Sequence, residues 1–210
     1  MMFCSLNGAA RWPAKQSARA GFVGVKSGVM VGLLALLSAC GGGGGGGDSP
    51  AASSSGSTAA ASSTGTCNLA DFQQQVLDRV NALRATGGSC GASGNFAASK
   101  PLTWNGLLAK ASDAHAADMA TQNYFAHTSL DGRTLGTRVT AAGYSWQLVG
   151  ENIAAGYSSV ESVMAGWRAS DGHCANLLNP AYTEIGVACV AAPSTSQYGN
   201  YWVMDLGKAR

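Results

Sequence analysis

Apolar residues fall into regular periods only beyond about residue 70. From Asp71 to Ala85, Phe72, Val76, Val80 and Leu83 share one helical face, and Gly87-Gly88 supplies the stop. A second helical pattern runs from Asn105, a good N-cap residue, to Gln122 and turns Leu108, Ala111 and Met119 inward. A short third helix is expected over 134–142, ending at Gly143. The fourth opens with Ser158 and Glu161 in capping-box spacing and carries Val160, Val163, Met164 and Trp167. The period then changes to that of strands. Glu184–Ala191 and Tyr198–Leu206 are β-branched or aromatic runs flanking a Pro/Ser/Thr loop, which predicts a hairpin. Helices followed by strands, without regular alternation, predict an α+β fold rather than a doubly wound parallel sheet.

The first 66 residues follow other rules. Arg11, Lys15, Arg19 and Lys26 precede an apolar run from Val29 to Leu37, with no acidic residue among them. A basic region, a short apolar core and small residues read as a secretory signal over 1–39. The apolar run is far below the ~20 residues that a bilayer span needs. Leu37-Ser38-Ala39-Cys40 resembles a bacterial lipobox, which implies cleavage before Cys40 and lipidation of its thiol and amino terminus. Several acyl chains anchor stably where one is marginal. Gly41 after the cysteine implies sorting to the outer membrane. Residues 40–66, with seven consecutive glycines and a Ser/Ala/Thr/Gly tract, have nothing to bury and read as a flexible leash. The globular part is 67–210, one ordinary domain.

Composition sharpens this division. The whole chain has a formal net charge of +2, with 11% charged residues. Removing the signal takes away four basic residues and no acidic one, which leaves −2. The basic character belongs to export, and no nucleic-acid partner is expected. With Cys40 assigned to lipid, Cys67, Cys90, Cys174 and Cys189 remain in the domain. An even number in an exported chain predicts two disulfides, with three possible connectivities. Cys67–Cys90 and Cys174–Cys189 are favoured because each pair brackets one local unit. No C-x-x-C spacing supports a cysteine zinc site.

The candidate chemistry is sparse. His115 lies at helical spacing from Leu108 and Met119 and reads as a half-buried core residue. His127 and His173 lie in segments rich in turn formers, and Glu151 is a lone carboxylate in Gly150-Glu151-Asn152-Ile153-Ala154. Two imidazoles and a carboxylate suit a divalent metal with an open position, acid–base work, or a purely structural polar network. Gly87-Gly88-Ser89-Cys90-Gly91 matches G-x-S-x-G, but it follows a helix rather than a strand and lacks the nucleophile-elbow context.

The blocks YFAHTSLDGR (124–133), GENIA (150–154), GWRASDGHCANLLNPAYTEIGVAC (166–189) and YWVMDLG (201–207) resemble, in order, those of the CAP superfamily. This is the SCP-like domain of cysteine-rich secretory, antigen-five and pathogenesis-related proteins, here in its bacterial form. The resemblance spans about 71–207. It implies a three-layer α-β-α sandwich around a small antiparallel sheet, with a cleft that collects two histidines and two acids and in some members holds a divalent ion, zinc foremost. His127, Glu151 and His173 match three of the four positions. The second acid falls on Ser170, and the neighbouring Asp171 is the available substitute. His115 and Asp118 match a helix motif of bacterial members, and Glu184 recurs in its own block; His115, Ser170, Asp171 and Glu184 are expected around the site.

Fold does not fix activity. The expectation is an exported, lipid-anchored binding module, monomeric, with an unidentified small-molecule, lipid or peptide ligand. The alternative is a metal-dependent hydrolase of cell-wall or peptide substrates, with Glu151 as base beside His127 and His173.

Overall fold

The computed structural model describes residues 65–210, so the signal, Cys40 and nearly all of the leash lie outside the described residues. Helix α1 (Phe72–Thr86) is followed by a two-strand ribbon, β1 (Gly88–Ser89) and β2 (Asn95–Phe96), and then by β3 (Thr103–Trp104). Next come α2 (Gly106–Gln122), α3 (Leu135–Ala142), β4 (Trp146–Ala155), α4 (Val160–Ala169), α5 (Asp171–Leu178), β5 (Glu184–Ala191) and β6 (Asn200–Ala209). The main sheet has the order β3-β5-β6-β4. β5/β6 and β6/β4 are antiparallel, while the two residues of β3 run parallel to β5. The sheet is therefore mixed at one edge rather than wholly antiparallel.

Alternation along β6 divides the core into two layers. Trp202, Met204 and Leu206 pack with Phe72, Val76 and Val80 of α1 and Val163 and Trp167 of α4. Tyr201 and Val203 pack with Ala116, Met119 and Ala120 of α2. The result is a three-layer α-β-α sandwich: α1, α4 and α5 on one face, α2 and α3 on the other. Gly186 determines how closely α2 approaches. Any side chain there would strike the backbone of Leu108 and Ala109, so glycine lets the helix lie directly on β5. Arg84, fully enclosed, donates to the carbonyls of Lys100, Leu177, Asn179 and Tyr182 and ties α1 to the end of α5. A cation suits the negative end of that helix.

Most helix ends follow local chemistry. Asn105 Oδ1 accepts from the N–H groups of Leu107 and Leu108, and Thr134 caps α3, which stops at Gly143 with φ 102°. The fourth helix begins one residue later than expected, because Ser159 and Ser162 form the capping box. Two elements differ from the sequence reading. The segment 146–155 is a full strand despite Gly150, Glu151 and Asn152, because nine of its residues pair with β6. The turn-rich stretch after Ser170 is a helix, α5.

The disulfides correct the expected pairing. Cys67 bonds to Cys189 and Cys90 to Cys174, not Cys67 to Cys90 or Cys174 to Cys189. The reason is the length of α1. Its 15 residues at 1.5 Å each extend roughly 22 Å, whereas a disulfide joins Cα atoms only about 4.4–6.8 Å apart. Cys67 instead lies along β5, where its N–H donates to Cys189 O at 2.9 Å. Cys90, in the ribbon loop, meets Cys174 on α5. Mass spectrometry of the unreduced, digested protein should recover peptides linked 67–189 and 90–174; linkage 67–90 would contradict this fold. Because Cys67–Cys189 closes a separation of 122 residues, replacing both with serine should cost about 4–5 kcal/mol in denaturant unfolding.

Candidate functional site: a cleft at the edge of β4

Glu151 sits on β4 directly opposite Asp205 of β6, and Asp205 is also paired with Gly186 of β5. Paired residues share a face, so both carboxyl groups point into the α2–α3 layer. Glu151 is buried and both of its oxygens are engaged. Oε1 accepts from His127 Nδ1 at 2.8 Å, and Oε2 accepts from Arg138 Nη2 at 2.5 Å. Arg138, in the first turn of α3, also donates to the carbonyls of His127 and Arg133. Burial by itself would push Glu151 up. The His127 hydrogen bond and the Arg138 charge outweigh it and hold this carboxyl below its ordinary value.

The loop between α2 and α3 that carries His127 is tied down from several sides. Tyr124 Oη donates to Asp118, and His115 Nε2 donates to Ala126 O at 3.0 Å. His115 is itself fully buried, and burial lowers its pKa. The His127 side chain nevertheless stays 57% exposed. An ionised carboxylate only accepts, so Nδ1 of His127 is the donor in this bond.

Asp205 was not foreseen, although it is the one charged residue in YWVMDLG. It is fully buried, and neither oxygen receives a well-formed hydrogen bond; Ser112 Oγ donates to Gly186 O instead. Burial, reinforced by the charge of Glu151, pushes its pKa well above the ordinary value. With one buried guanidinium facing two carboxyl groups, the two are driven apart: Glu151 is held below its ordinary value and Asp205 pushed above it. Arg138 was also missed, since a helical arginine beside Val139 reads as a surface residue.

His173 arrives from the other face of the sheet. Asn152, the next residue on β4, points into the α5 layer and donates from Nδ2 to His173 O at 3.1 Å. The His173 ring is half-buried, with Nδ1 2.9 Å from Ser170 Oγ. Burial, with the charge of His127 adding to it, pushes its pKa down to about 4.

His127, Glu151 and His173 thus border one region without forming a ligand set. Among the described residues no group of three or more His, Cys, Asp or Glu side chains is placed to hold a metal ion. The donor chemistry explains why: Glu151 is already neutralised by Arg138, and strand alternation puts Glu151 and His173 on opposite faces of the sheet. The same enclosure leaves both Glu151 oxygens occupied, one by His127 and one by Arg138. Of the surrounding residues, Asp171 turns away and accepts from Ala92 N–H at 2.8 Å, so it does not replace the missing acid. Glu184 binds Asn105 Nδ2 and Tyr144 Oη at the start of α2 and stands apart from the cleft.

Comparison with known proteins identifies this arrangement. The model of the CAP family, the cysteine-rich secretory protein family, matches residues 77–206. The chain belongs to the CAP family. A Bacillus subtilis CAP relative, the uncharacterised protein YkwD, is 33% identical over 142 residues, which are 67% of this chain and 49% of YkwD. The chain spans about half the length of that relative or less of others. An extracellular SCP-domain protein of Bacillus anthracis superposes with a TM-score of 0.52 at 31% identity, covering 64% of this chain and 39% of that one. An outer surface protein of Borrelia burgdorferi gives 0.51 at 20% identity, covering 65% and 89%, and supports the CAP fold alone. No helix among the described residues is long and apolar enough to cross a membrane.

The low pKa of His173 sets a pH dependence for this CAP domain. Between pH 6.5 and about 4 the unfolded chain takes up a proton that folded His173 refuses, so stability falls as pH falls through that window. Buried His115 contributes in the same direction. His173→Gln should flatten this part of the stability–pH curve measured by urea unfolding. An unchanged slope would show that His173 is not shielded from water.

Proposed function

We propose that this CAP domain is an exported binding module, held to the bacterial outer membrane through lipid on Cys40, and that its cleft recognises a polar peptide or small ligand. The observation that carries the reading is His127. A buried ion pair holds this imidazole in place, yet the ring remains 57% exposed. A fixed, exposed imidazole loses little entropy when it binds, which favours recognition of a polar group on the ligand. The similarity to an extracellular SCP-domain protein of Bacillus anthracis is in keeping with an exported protein. The lipobox-like Leu37-Ser38-Ala39-Cys40 and the long leash support an anchor that lets the domain reach away from the bilayer.

Titration of the mature protein with envelope peptides and cell-wall fragments, followed by NMR of the histidine rings, tests the cleft. Binding should shift His127, and His127→Ala should weaken it about tenfold or more. The variant also takes a hydrogen bond from buried Glu151, so the melting temperature should fall by about 2–8 °C while the fold is kept. Equal affinity in the variant would retire His127 as the recognition group. For the anchor, cells fed labelled palmitate should label the wild type and not Cys40→Ala; labelling that survives the substitution would place the lipid elsewhere.

A further inference from the structure

Ser170 is the single residue between two helices, closing α4 and opening α5. A serine in that position ordinarily turns its hydroxyl onto the first backbone N–H groups of the helix it opens. Ser170 makes no such bond. Its Oγ lies 2.9 Å from His173 Nδ1 instead. A hydroxyl at this distance from an imidazole nitrogen is placed to give up its proton as it attacks. The pair is separated by less than one helical turn, so the backbone of α5 fixes its geometry.

The surroundings supply backbone donors for an oxyanion; burial keeps His173 neutral, with a pKa of about 4, so it can accept a proton but acts as a weak base. The N–H groups of Asp171, Gly172 and His173 begin α5 and have no carbonyl within the helix to bond. They lie beside Ser170, at the helix end that favours negative charge, where the oxyanion of an attacked carbonyl would develop. Gly172 faces open space, with nothing within 4 Å of the place a Cβ would take, so approach from that side is unobstructed. Behind the pair α5 is firmly held. Asn152 grips the His173 carbonyl, Asp171 accepts from Ala92 N–H, and Cys174 is bonded to Cys90.

We propose that Ser170 and His173 form a nucleophile–base pair that takes an acyl group from a small, activated ester. Ser170 Oγ forms a bond to the carbonyl carbon as its proton passes to His173 Nδ1. The ester C–O bond breaks, and the departing alcohol leaves with that proton. Water, deprotonated by the same nitrogen, then attacks the acyl-serine, releasing the carboxylic acid and restoring both residues. The pair stands independently of ligand recognition by His127. A chain that binds a ligand through His127 but does not react at Ser170 keeps the first reading and loses this one.

The test is to incubate the mature protein with a fluorophosphonate probe, in which Oγ–P forms as P–F breaks, and to map the adduct by mass spectrometry. One adduct on Ser170 is expected, with none in Ser170→Ala. His173→Gln should slow labelling about 100-fold or more, and hydrolysis of p-nitrophenyl acetate should fall in parallel. Absence of an adduct on wild-type Ser170, labelling scattered over other serines and tyrosines, or an equal rate in His173→Gln overturns the proposal. The map on the wild type decides even where a variant fails to fold.

Discussion

The ion pair between Arg138 and Glu151 ties α3 to β4 and holds the candidate site together. Each side chain is only 2% exposed, so both charges have left water almost completely. That desolvation is repaid only with good geometry and with the remaining donors and acceptors satisfied. Here they are largely satisfied. Glu151 takes a second hydrogen bond from His127, and Arg138 spends its other terminal nitrogen on the carbonyls of His127 and Arg133. One guanidinium thus joins α3, the His127 loop and β4. Removing either member of such a pair strands a buried charge, at a typical cost of about 3–5 kcal/mol.

Asp205 depends on that pair. It lies beside Glu151 in the centre of the sheet, without a cation of its own. A second negative charge there would face both low dielectric and Glu151, which pushes the pKa of Asp205 well up. The arrangement also changes what the cleft can do. A resident guanidinium occupies the place where an added cation would neutralise Glu151, which leaves the exposed His127 ring and the Ser170–His173 pair as the groups available for chemistry. These lie on the two faces of β4, an edge strand.

Much of the fold was legible along the chain because its signals are local. Asn105 caps the helix it was expected to cap, and the apolar faces of α1, α2 and α4 are the buried ones. The hairpin of β5 and β6 follows from β-branched and aromatic residues in alternation. β4 was harder to see, since Gly150-Glu151-Asn152 resembles a turn until β6 supplies the pairing partner. The disulfides failed for a related reason: closeness in sequence was taken for closeness in space, while α1 carries Cys67 and Cys90 to opposite ends of a helix.

For the candidate site the division is similar. His127, Glu151 and His173 stand out by residue type and by resemblance to a family, and these need no coordinates. The roles of Arg138, Asp205 and Ser170 do, because each is defined by a partner on another element or by a cap bond that is not made. The amino-acid sequence by itself determined most of the helices, the β5–β6 hairpin, the family and the polar residues worth watching, since each rests on contacts or patterns within a few positions. Only the tertiary structure decided which way each buried carboxyl shifts, which cysteines meet and which histidine faces which serine. Those outcomes depend on burial and strand register, and they exist only once distant segments are packed together.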